Sequence, residues 1–185
     1  MEVVTTPYPK TAWKIPWIHS AFQNASAVAS GIDSALKIQN KRDKINILVL
    51  CGDGATSDIG LASLSGALER RHKFTYICYD TQAYSNTGFQ RSSATPFASW
   101  TSTTPVGTKI QGKQEFRKPI TEIVAAHNIP YVATASLAYP NDLYQKVKKS
   151  FTFNGPSFIN VLSPCTLAWK FDPSLTIDIS RKAIE

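Results

Sequence analysis

The feature that most restricts the fold of this chain is the six-residue run at positions 45–50, in which every residue except Asn46 is apolar. A strand with one face in solvent alternates apolar and polar residues, whereas a continuous apolar run is typical of a strand covered on both faces. Similar runs at 74–79 and 157–162, and a shorter one at 131–134, are predicted to be strands as well. The chain is therefore expected to build a parallel sheet.

Segments of helical length separate these strands. Apolar residues at helical spacing predict a helix at 20–39, and further helices are predicted at about 57–70, 120–127, 141–151 and near the C-terminus. Strands that alternate with helices favour an α/β fold, a parallel sheet with helices on both faces.

The length of 185 residues is that of one ordinary domain with a full core. We therefore expect residues 1–185 to form a single domain, with an irregular N-terminal segment at 1–19. The stretch at 80–118 is predicted to be one long loop rich in Ser, Thr, Gly and Pro. Loops of this length inside a compact domain usually carry function.

Composition and charge exclude several classes of protein. The apolar fraction of 43% and the charged fraction of 18% are those of a globular protein. The net charge of +7 is most simply explained by basic side chains spread over a solvated surface. The alternative is a basic patch that binds diphosphate, nucleic acid or an acidic protein. No nucleic-acid-binding motif is present in the sequence. No apolar run reaches the roughly 18–20 residues of a membrane helix, and the first residues lack the pattern of a secretory signal. We expect no nucleic-acid or membrane partner and a cytoplasmic location.

The three cysteines, Cys51, Cys78 and Cys165, stand far apart and form no CxxC pair. This spacing argues against a zinc site or a disulfide framework within the chain. Cys51 and Cys78 end apolar runs, so both are predicted to be buried free thiols.

Three unusual segments follow the predicted strands: Gly52-Asp53-Gly54, residues 80–88, and Ser163-Pro164-Cys165. In open parallel sheets, ligands bind beyond the carboxyl ends of the strands. The two glycines would let the backbone turn sharply and approach a ligand, and the helix predicted to begin near Ser57 would offer free N–H groups to an anion. Because Asp53 would repel a phosphate, this pattern suggests Mg²⁺ between the carboxylate and a diphosphate. Taken alone, Gly-Asp-Gly is more often a simple turn.

A second oxygen donor is predicted beside the first. Thr81 lies 28 residues after Asp53, at the end of the next predicted strand. One strand–helix–strand unit has roughly this length, so Asp53 and Thr81 are expected to be neighbours. The Thr81 hydroxyl and the backbone carbonyl of Ala83 would then join Asp53 around one Mg²⁺, with phosphate oxygens and a water completing an octahedron.

The residues around Thr81 carry a family resemblance. Residues 79–88 read Tyr-Asp-Thr-Gln-Ala-Tyr-Ser-Asn-Thr-Gly and residues 90–96 read Gln-Arg-Ser-Ser-Ala-Thr-Pro. With the preceding Gly-Asp-Gly, this stretch resembles the thiamine-diphosphate motif in β subunits of pyruvate (2-oxoacid):ferredoxin oxidoreductases, and so do residues 11–19 and 129–136. The resemblance covers essentially the whole chain.

The resemblance implies a thiamine-diphosphate-binding fold and a set of site residues. Asp53, Thr81 and the Ala83 carbonyl would hold Mg²⁺ on the cofactor. The residues placed against the cofactor by the same likeness are Gly52, Gly54, Tyr84 and Asn86. Asn86 would also lie near the reacting carbon and the 2-oxoacid, as the catalytic residue of this chain.

The same resemblance implies that Cys165 is one ligand of a [4Fe–4S] cluster. The family's three other cluster cysteines lie upstream of the position that Met1 matches, so the chain resembles a subunit truncated at its N-terminus. One thiolate cannot hold a four-iron cluster, so other ligands would have to be supplied. The loop at 166–170 departs from the family pattern.

The implied reaction is the oxidative decarboxylation of pyruvate to acetyl-CoA and CO₂, with electrons passed through iron–sulfur clusters to ferredoxin. The implied partners are an α subunit that supplies the activating glutamate, other oxidoreductase subunits, ferredoxin, coenzyme A and the 2-oxoacid, so the chain alone is expected to be inactive. Three alternatives stay open: another 2-oxoacid such as a branched-chain one, a non-redox thiamine-diphosphate enzyme, and a fragment that folds but binds nothing. Cys165 and the run at 86–96 argue against the second.

Overall fold

The computed structural model of the protein describes residues 13–185, so most of the predicted irregular segment at 1–19 lies outside the described residues. Four parallel strands form one sheet with the spatial order β1-β2-β4-β3. The strands are β1 (Leu48–Gly52), β2 (Thr75–Asp80), β3 (Tyr131–Ser136) and β4 (Ser157–Leu162). The predicted parallel sheet is confirmed.

Three of the four strands differ from the prediction at their boundaries, and β2 does so by only one residue at each end. The first strand begins at Leu48 and not at residue 45, because its partner β2 begins at Thr75, and the pairing starts with Leu48 opposite Thr75. The third strand extends to Ser136, which pairs with Leu162 of β4. In both cases the neighbouring strand, and not the local sequence, sets the end.

Six α-helices and two short 3₁₀ turns occur within residues 13–185. The helices are α1 (Ala25–Ile38), α2 (Asp53–Ser57), α3 (Leu61–Glu69), α4 (Ile120–Ala125), α5 (Pro140–Ser150) and α6 (Thr176–Lys182). None of the helices in this described part of the chain is long and apolar enough to cross a bilayer.

The prediction that a helix begins near Ser57 is wrong. Helix α2 begins directly at Asp53 and lasts five residues. It ends because Asp58 leaves the helical conformation, with φ −107° and ψ −94°, and α3 then starts at Leu61. Asp53 is thus the first helical residue, where a carboxylate is favoured by the helix dipole.

The core lies between one face of the sheet and helices α1, α3 and α4. Tyr76 of β2 and Phe158 of β4 stack with ring centroids 5.7 Å apart, and Leu64 and Leu68 of α3 join the same buried cluster.

The step from β3 to β4 runs across the sheet in the opposite direction to the step from β1 to β2. A right-handed crossover therefore places α5 on the other face, in agreement with the predicted class. Cys51 and Cys78 are buried and free, as predicted.

Two glycines give a matched test of packing. A Cβ at Gly60, between α2 and α3, would lie 1.9 Å from the backbone oxygen of Ala55, whereas one at Gly31 in α1 would meet nothing within 4 Å. We expect Gly60→Ala to lower the free energy of unfolding by about 1–3 kcal/mol. Gly31→Ala should raise it by about 0.5–1 kcal/mol. Urea unfolding of both variants checks this; equal effects would contradict the tight junction between the two helices.

Candidate cofactor and metal site

The structure brings Asp53 and Thr81 together at the carboxyl edge of the sheet. Strands β1 and β2 are paired up to Gly52 opposite Tyr79, so the residues that follow them are neighbours. The Thr81 hydroxyl lies 3.1 Å from Asp53 Oδ1 and 2.9 Å from the backbone oxygen of Ala83. The backbone N–H of Thr81 also donates to Asp53 Oδ1 at 3.3 Å. A carboxylate, a hydroxyl and a carbonyl oxygen therefore converge.

Asp53 is a buried carboxylate, with an exposed fraction of 2%. No Lys, Arg or His of residues 13–185 forms an ion pair with it. Burial raises the pKa of Asp53 to about 6, with a smaller contribution from the charge of Asp80, and hydrogen bonds from Ser92 and Thr81 oppose the shift. A cation bound at its oxygens would stabilise the charged form of this carboxylate.

Asp80, the last residue of β2, is a second buried carboxylate at this edge. Burial raises its pKa, and the charge of Arg117 and hydrogen bonds from Gln82 and Asn160 oppose the rise. Arg117 forms an ion pair with Asp80. Among residues 13–185, Asp80 therefore has a cationic partner and Asp53 has none. With its all-oxygen donor set, the edge fits a Mg²⁺ ion held by Asp53, Thr81 and Ala83.

The turn that carries Thr81 and Ala83 is fixed by three other residues. Its central residue, Gln82, has φ +61°, an uncommon conformation for a residue with a side chain. The Gln82 N–H donates to Asp80 Oδ1 at 2.9 Å, and the Thr95 hydroxyl donates to the Gln82 carbonyl at 2.5 Å. The Trp169 indole N–H donates to the Thr81 carbonyl at 3.0 Å.

Four further residues shape the site, and the sequence alone predicted no role for them: Ser92, Asp80, Arg117 and Trp169. Ser92 Oγ donates to Asp53 Oδ2 at 2.5 Å, and Ser92 is itself buried. Asp80 carried a usable signal, because a charged residue that ends an apolar run is unusual. The other three lie in loops that approach the site only in the folded chain.

The sharp backbone turn predicted at the two glycines is wrong, whereas their place beside a ligand stays a prediction. Gly52 has φ −76°, and Gly54 is not among the residues with positive φ, so neither provides an unusual backbone turn. A Cβ on Gly54 would lie 1.9 Å from the ring of Tyr84, and one on Gly52 would lie 3.3 Å from the ring of Tyr79. Close packing of aromatic rings accounts for both glycines. Tyr84 is held against Gly54 by its hydroxyl, which donates to Asp58 Oδ2 at 2.5 Å.

Asn86 and Cys165 lie in the loops that follow β2 and β4. Asn86 is exposed in the loop after Tyr84. Cys165 is half-buried in the loop after β4, and its carbonyl accepts a hydrogen bond from the Trp169 N–H at 2.8 Å. In the part of the chain that the structure describes, no three or more His, Cys, Asp and Glu side chains gather into a metal-binding group.

A cleft of about 260 Å³ lies beside the turn at 81–83. Aromatic rings and polar side chains share its lining, which consists of Gln82, Phe89, Thr95, Pro96, Ser99, Trp100 and Trp169. The loop of Cys165 and the long loop therefore meet next to the candidate site.

Known proteins resemble this chain at the family level and over its full length. The sequence profile described as thiamine pyrophosphate enzyme, C-terminal TPP-binding domain, matches residues 2–161. Pyruvate synthase subunit PorB of Methanocaldococcus jannaschii is 54% identical over 191 aligned positions, which cover 100% of this chain and 64% of the relative. The corresponding subunit of Methanothermobacter thermautotrophicus is 52% identical with the same coverage. The chain thus spans about 64% of the length of these curated relatives.

Two other similarities bear on substrate and fold. Ketoisovalerate oxidoreductase subunit VorB of Pyrococcus furiosus is 44% identical over 187 positions, covering 99% of this chain and 60% of the relative. Among solved structures, a 2-oxoglutarate:ferredoxin oxidoreductase from Magnetococcus marinus with 2-oxoglutarate, coenzyme A and succinyl-CoA bound superposes with a TM-score of 0.71. It covers 87% of this chain and 50% of that one at 23% identity, which supports the fold.

Proposed function

The chain belongs to the thiamine pyrophosphate enzymes, in the family of their C-terminal TPP-binding domain, and on that premise we propose that it is part of the β subunit of a pyruvate:ferredoxin oxidoreductase. The observation that carries the proposal is the convergence of Asp53 Oδ1, the Thr81 hydroxyl and the Ala83 carbonyl. The identity of 54% to a pyruvate synthase subunit supports the choice of reaction.

In this proposal the chain's main task is to bind and orient Mg²⁺ and thiamine diphosphate. Asp53, Thr81 and the Ala83 carbonyl would hold the metal, whose positive charge would offset part of the negative charge of the buried carboxylate and the diphosphate. Gly52, Gly54 and Tyr84 border the diphosphate, with Tyr84 fixed by its bond to Asp58. When bound, thiamine diphosphate supplies the nucleophilic carbon that attacks the carbonyl of the 2-oxoacid.

The remaining groups of the proposed reaction are shared with other polypeptides. The exposed Asn86 would contact the substrate in the assembled enzyme, and a partner α subunit would provide the glutamate that activates the cofactor. Cys165 would give one thiolate to a [4Fe–4S] cluster whose other ligands come from outside residues 13–185. The products would be acetyl-CoA and CO₂, with the electrons passed to ferredoxin. Ferredoxin and coenzyme A as co-substrates make the cytoplasm the proposed location.

A branched-chain 2-oxoacid is the second candidate substrate. The 44% identity to a ketoisovalerate oxidoreductase subunit favours it specifically. Because the described site holds the cofactor and not the substrate side chain, its three oxygen donors serve either substrate equally.

Reconstitution tests the proposed function. The chain, assembled with its partner subunits, thiamine diphosphate, Mg²⁺ and coenzyme A, should reduce ferredoxin when pyruvate is added. The rate with pyruvate should exceed the rate with 2-ketoisovalerate, and the reverse order would select the branched-chain reaction. Decarboxylation without ferredoxin reduction would point to a non-redox thiamine enzyme. If titration calorimetry finds no thiamine-diphosphate binding in the presence of Mg²⁺, the chain is an inactive fragment and the proposal is wrong.

A further inference from the structure

Ser92 joins the long loop to the proposed metal ligand. It lies 39 residues after Asp53 and donates its hydroxyl proton to Asp53 Oδ2 at 2.5 Å. Ser92 Oγ in turn accepts a hydrogen bond from the Ala94 N–H at 3.2 Å, which fixes the direction of the hydroxyl. Ser92 has an exposed fraction of 1%, so water does not compete for this contact.

The two carboxylate oxygens of Asp53 are therefore distinguished. Oδ2 is occupied by Ser92, and Oδ1 is the oxygen that faces Thr81. A carboxylate with one oxygen fixed by a hydrogen bond loses rotational freedom, and its other oxygen points in one direction. Ligating carboxylates in metal sites are commonly held by such outer hydrogen bonds.

Thr95 extends the connection to the second arm of the site. The Ser92 N–H donates to Thr95 Oγ1 at 3.0 Å, and the Thr95 hydroxyl donates to the Gln82 carbonyl at 2.5 Å. Gln82 stands between Thr81 and Ala83, in the conformation with φ +61°. Thr95 is also 1% exposed. The loop segment 92–95 thus contacts both parts of the site. Its first residue bonds the Asp53 carboxylate, and its last residue bonds the turn that carries the Thr81 hydroxyl and the Ala83 carbonyl.

We propose that Ser92 and Thr95 are positioning residues that set the distance between Asp53 and the Thr81–Ala83 turn for a small, octahedral divalent cation. The inference rests on the proposed function, because the cation is the one that would bind thiamine diphosphate. Mg²⁺ demands near-ideal geometry, whereas Ca²⁺ accepts longer and more variable distances. Loss of either hydroxyl therefore weakens the binding of Mg²⁺ more than the binding of Ca²⁺.

The test measures the metal concentration needed for half-saturation of thiamine-diphosphate binding by the chain, once with Mg²⁺ and once with Ca²⁺. Ser92→Ala should raise the Mg²⁺ requirement by about 10–100-fold, as is usual when an outer partner of a metal ligand is removed. The Ca²⁺ requirement should rise less. Thr95→Val should act in the same direction, and Thr95→Ser, which keeps the hydroxyl, should restore the Mg²⁺ requirement.

Ser93→Ala is the matched control. Ser93 is the next residue, and its buried hydroxyl forms no hydrogen bond with Asp53 or with the turn at 81–83. This variant should leave both metal requirements unchanged. If Ser92→Ala behaves like Ser93→Ala, or shifts the Mg²⁺ and Ca²⁺ requirements equally, the positioning role is wrong while the proposed function stands. If the unaltered chain binds no thiamine diphosphate with Mg²⁺, both are wrong.

Discussion

Replacing Asp53 with asparagine is expected to weaken thiamine-diphosphate binding in the presence of Mg²⁺ by at least about 100-fold, more than the loss of an outer partner usually costs. The amide keeps the size of the side chain but removes the only negative charge offered to the metal by the three converging oxygens. Calorimetric titration of the cofactor at fixed Mg²⁺ measures the effect. Asp142→Asn, at a half-exposed side chain in α5, is the control that removes one charge elsewhere.

The same substitution should have the opposite effect on the stability of the metal-free chain. Asp53 has 2% exposure and no cationic partner among residues 13–185, so its charge opposes folding. We expect the midpoint of thermal unfolding of Asp53→Asn without metal to equal or exceed that of the original chain. A lower midpoint together with unchanged cofactor binding would contradict the role of Asp53 as a metal ligand.

Replacing Arg117 with glutamine is expected to lower the free energy of unfolding by about 2–3 kcal/mol. Removing one partner of a buried ion pair usually costs about 3–5 kcal/mol, and the lower figure applies because the Arg117 side chain is 36% exposed. The substitution leaves Asp80 buried beside Asp53 without its cation. Urea unfolding at neutral pH measures the loss.

A double variant identifies the cause of this loss. Asp80→Asn combined with Arg117→Gln removes both charges, so it should recover most of the stability lost in Arg117→Gln. Ion-paired residues in contact show coupling of about 0.5–3 kcal/mol in such cycles. Additive effects of the two substitutions would contradict the view that Arg117 acts by compensating Asp80.

The sequence was sufficient to predict the sheet and the meeting of Asp53 with Thr81. Continuous apolar runs mark strands with two covered faces, and a spacing of 28 residues matches one strand–helix–strand unit. The order of the strands was not predictable in the same way, because β4 enters between β2 and β3 through contacts distant in sequence. Helix α2 was missed because Gly-Asp-Gly is typical of a turn, so the helix was predicted to begin only near Ser57.

The surroundings of the site were less predictable than its centre. Ser92 is 39 residues from Asp53, and Arg117 is 37 residues from Asp80. Both lie in a stretch without helix or strand periodicity, where no local pattern indicates which side chains turn inward. The sequence indicated that the glycines at 52 and 54 are important. It could not show that the rings of Tyr79 and Tyr84 leave no room for a side chain there, because that packing exists only in the folded chain.

The most direct test of the central claim is an anomalous-diffraction map of crystals of the chain grown with thiamine diphosphate and Mn²⁺ in place of Mg²⁺. One strong peak is expected within about 2.5 Å of an Asp53 carboxylate oxygen, the Thr81 hydroxyl and the Ala83 carbonyl, next to the cofactor's phosphates. A bound cofactor whose metal lies elsewhere, with Asp53 still bonded only to Thr81 and Ser92, would contradict the claim.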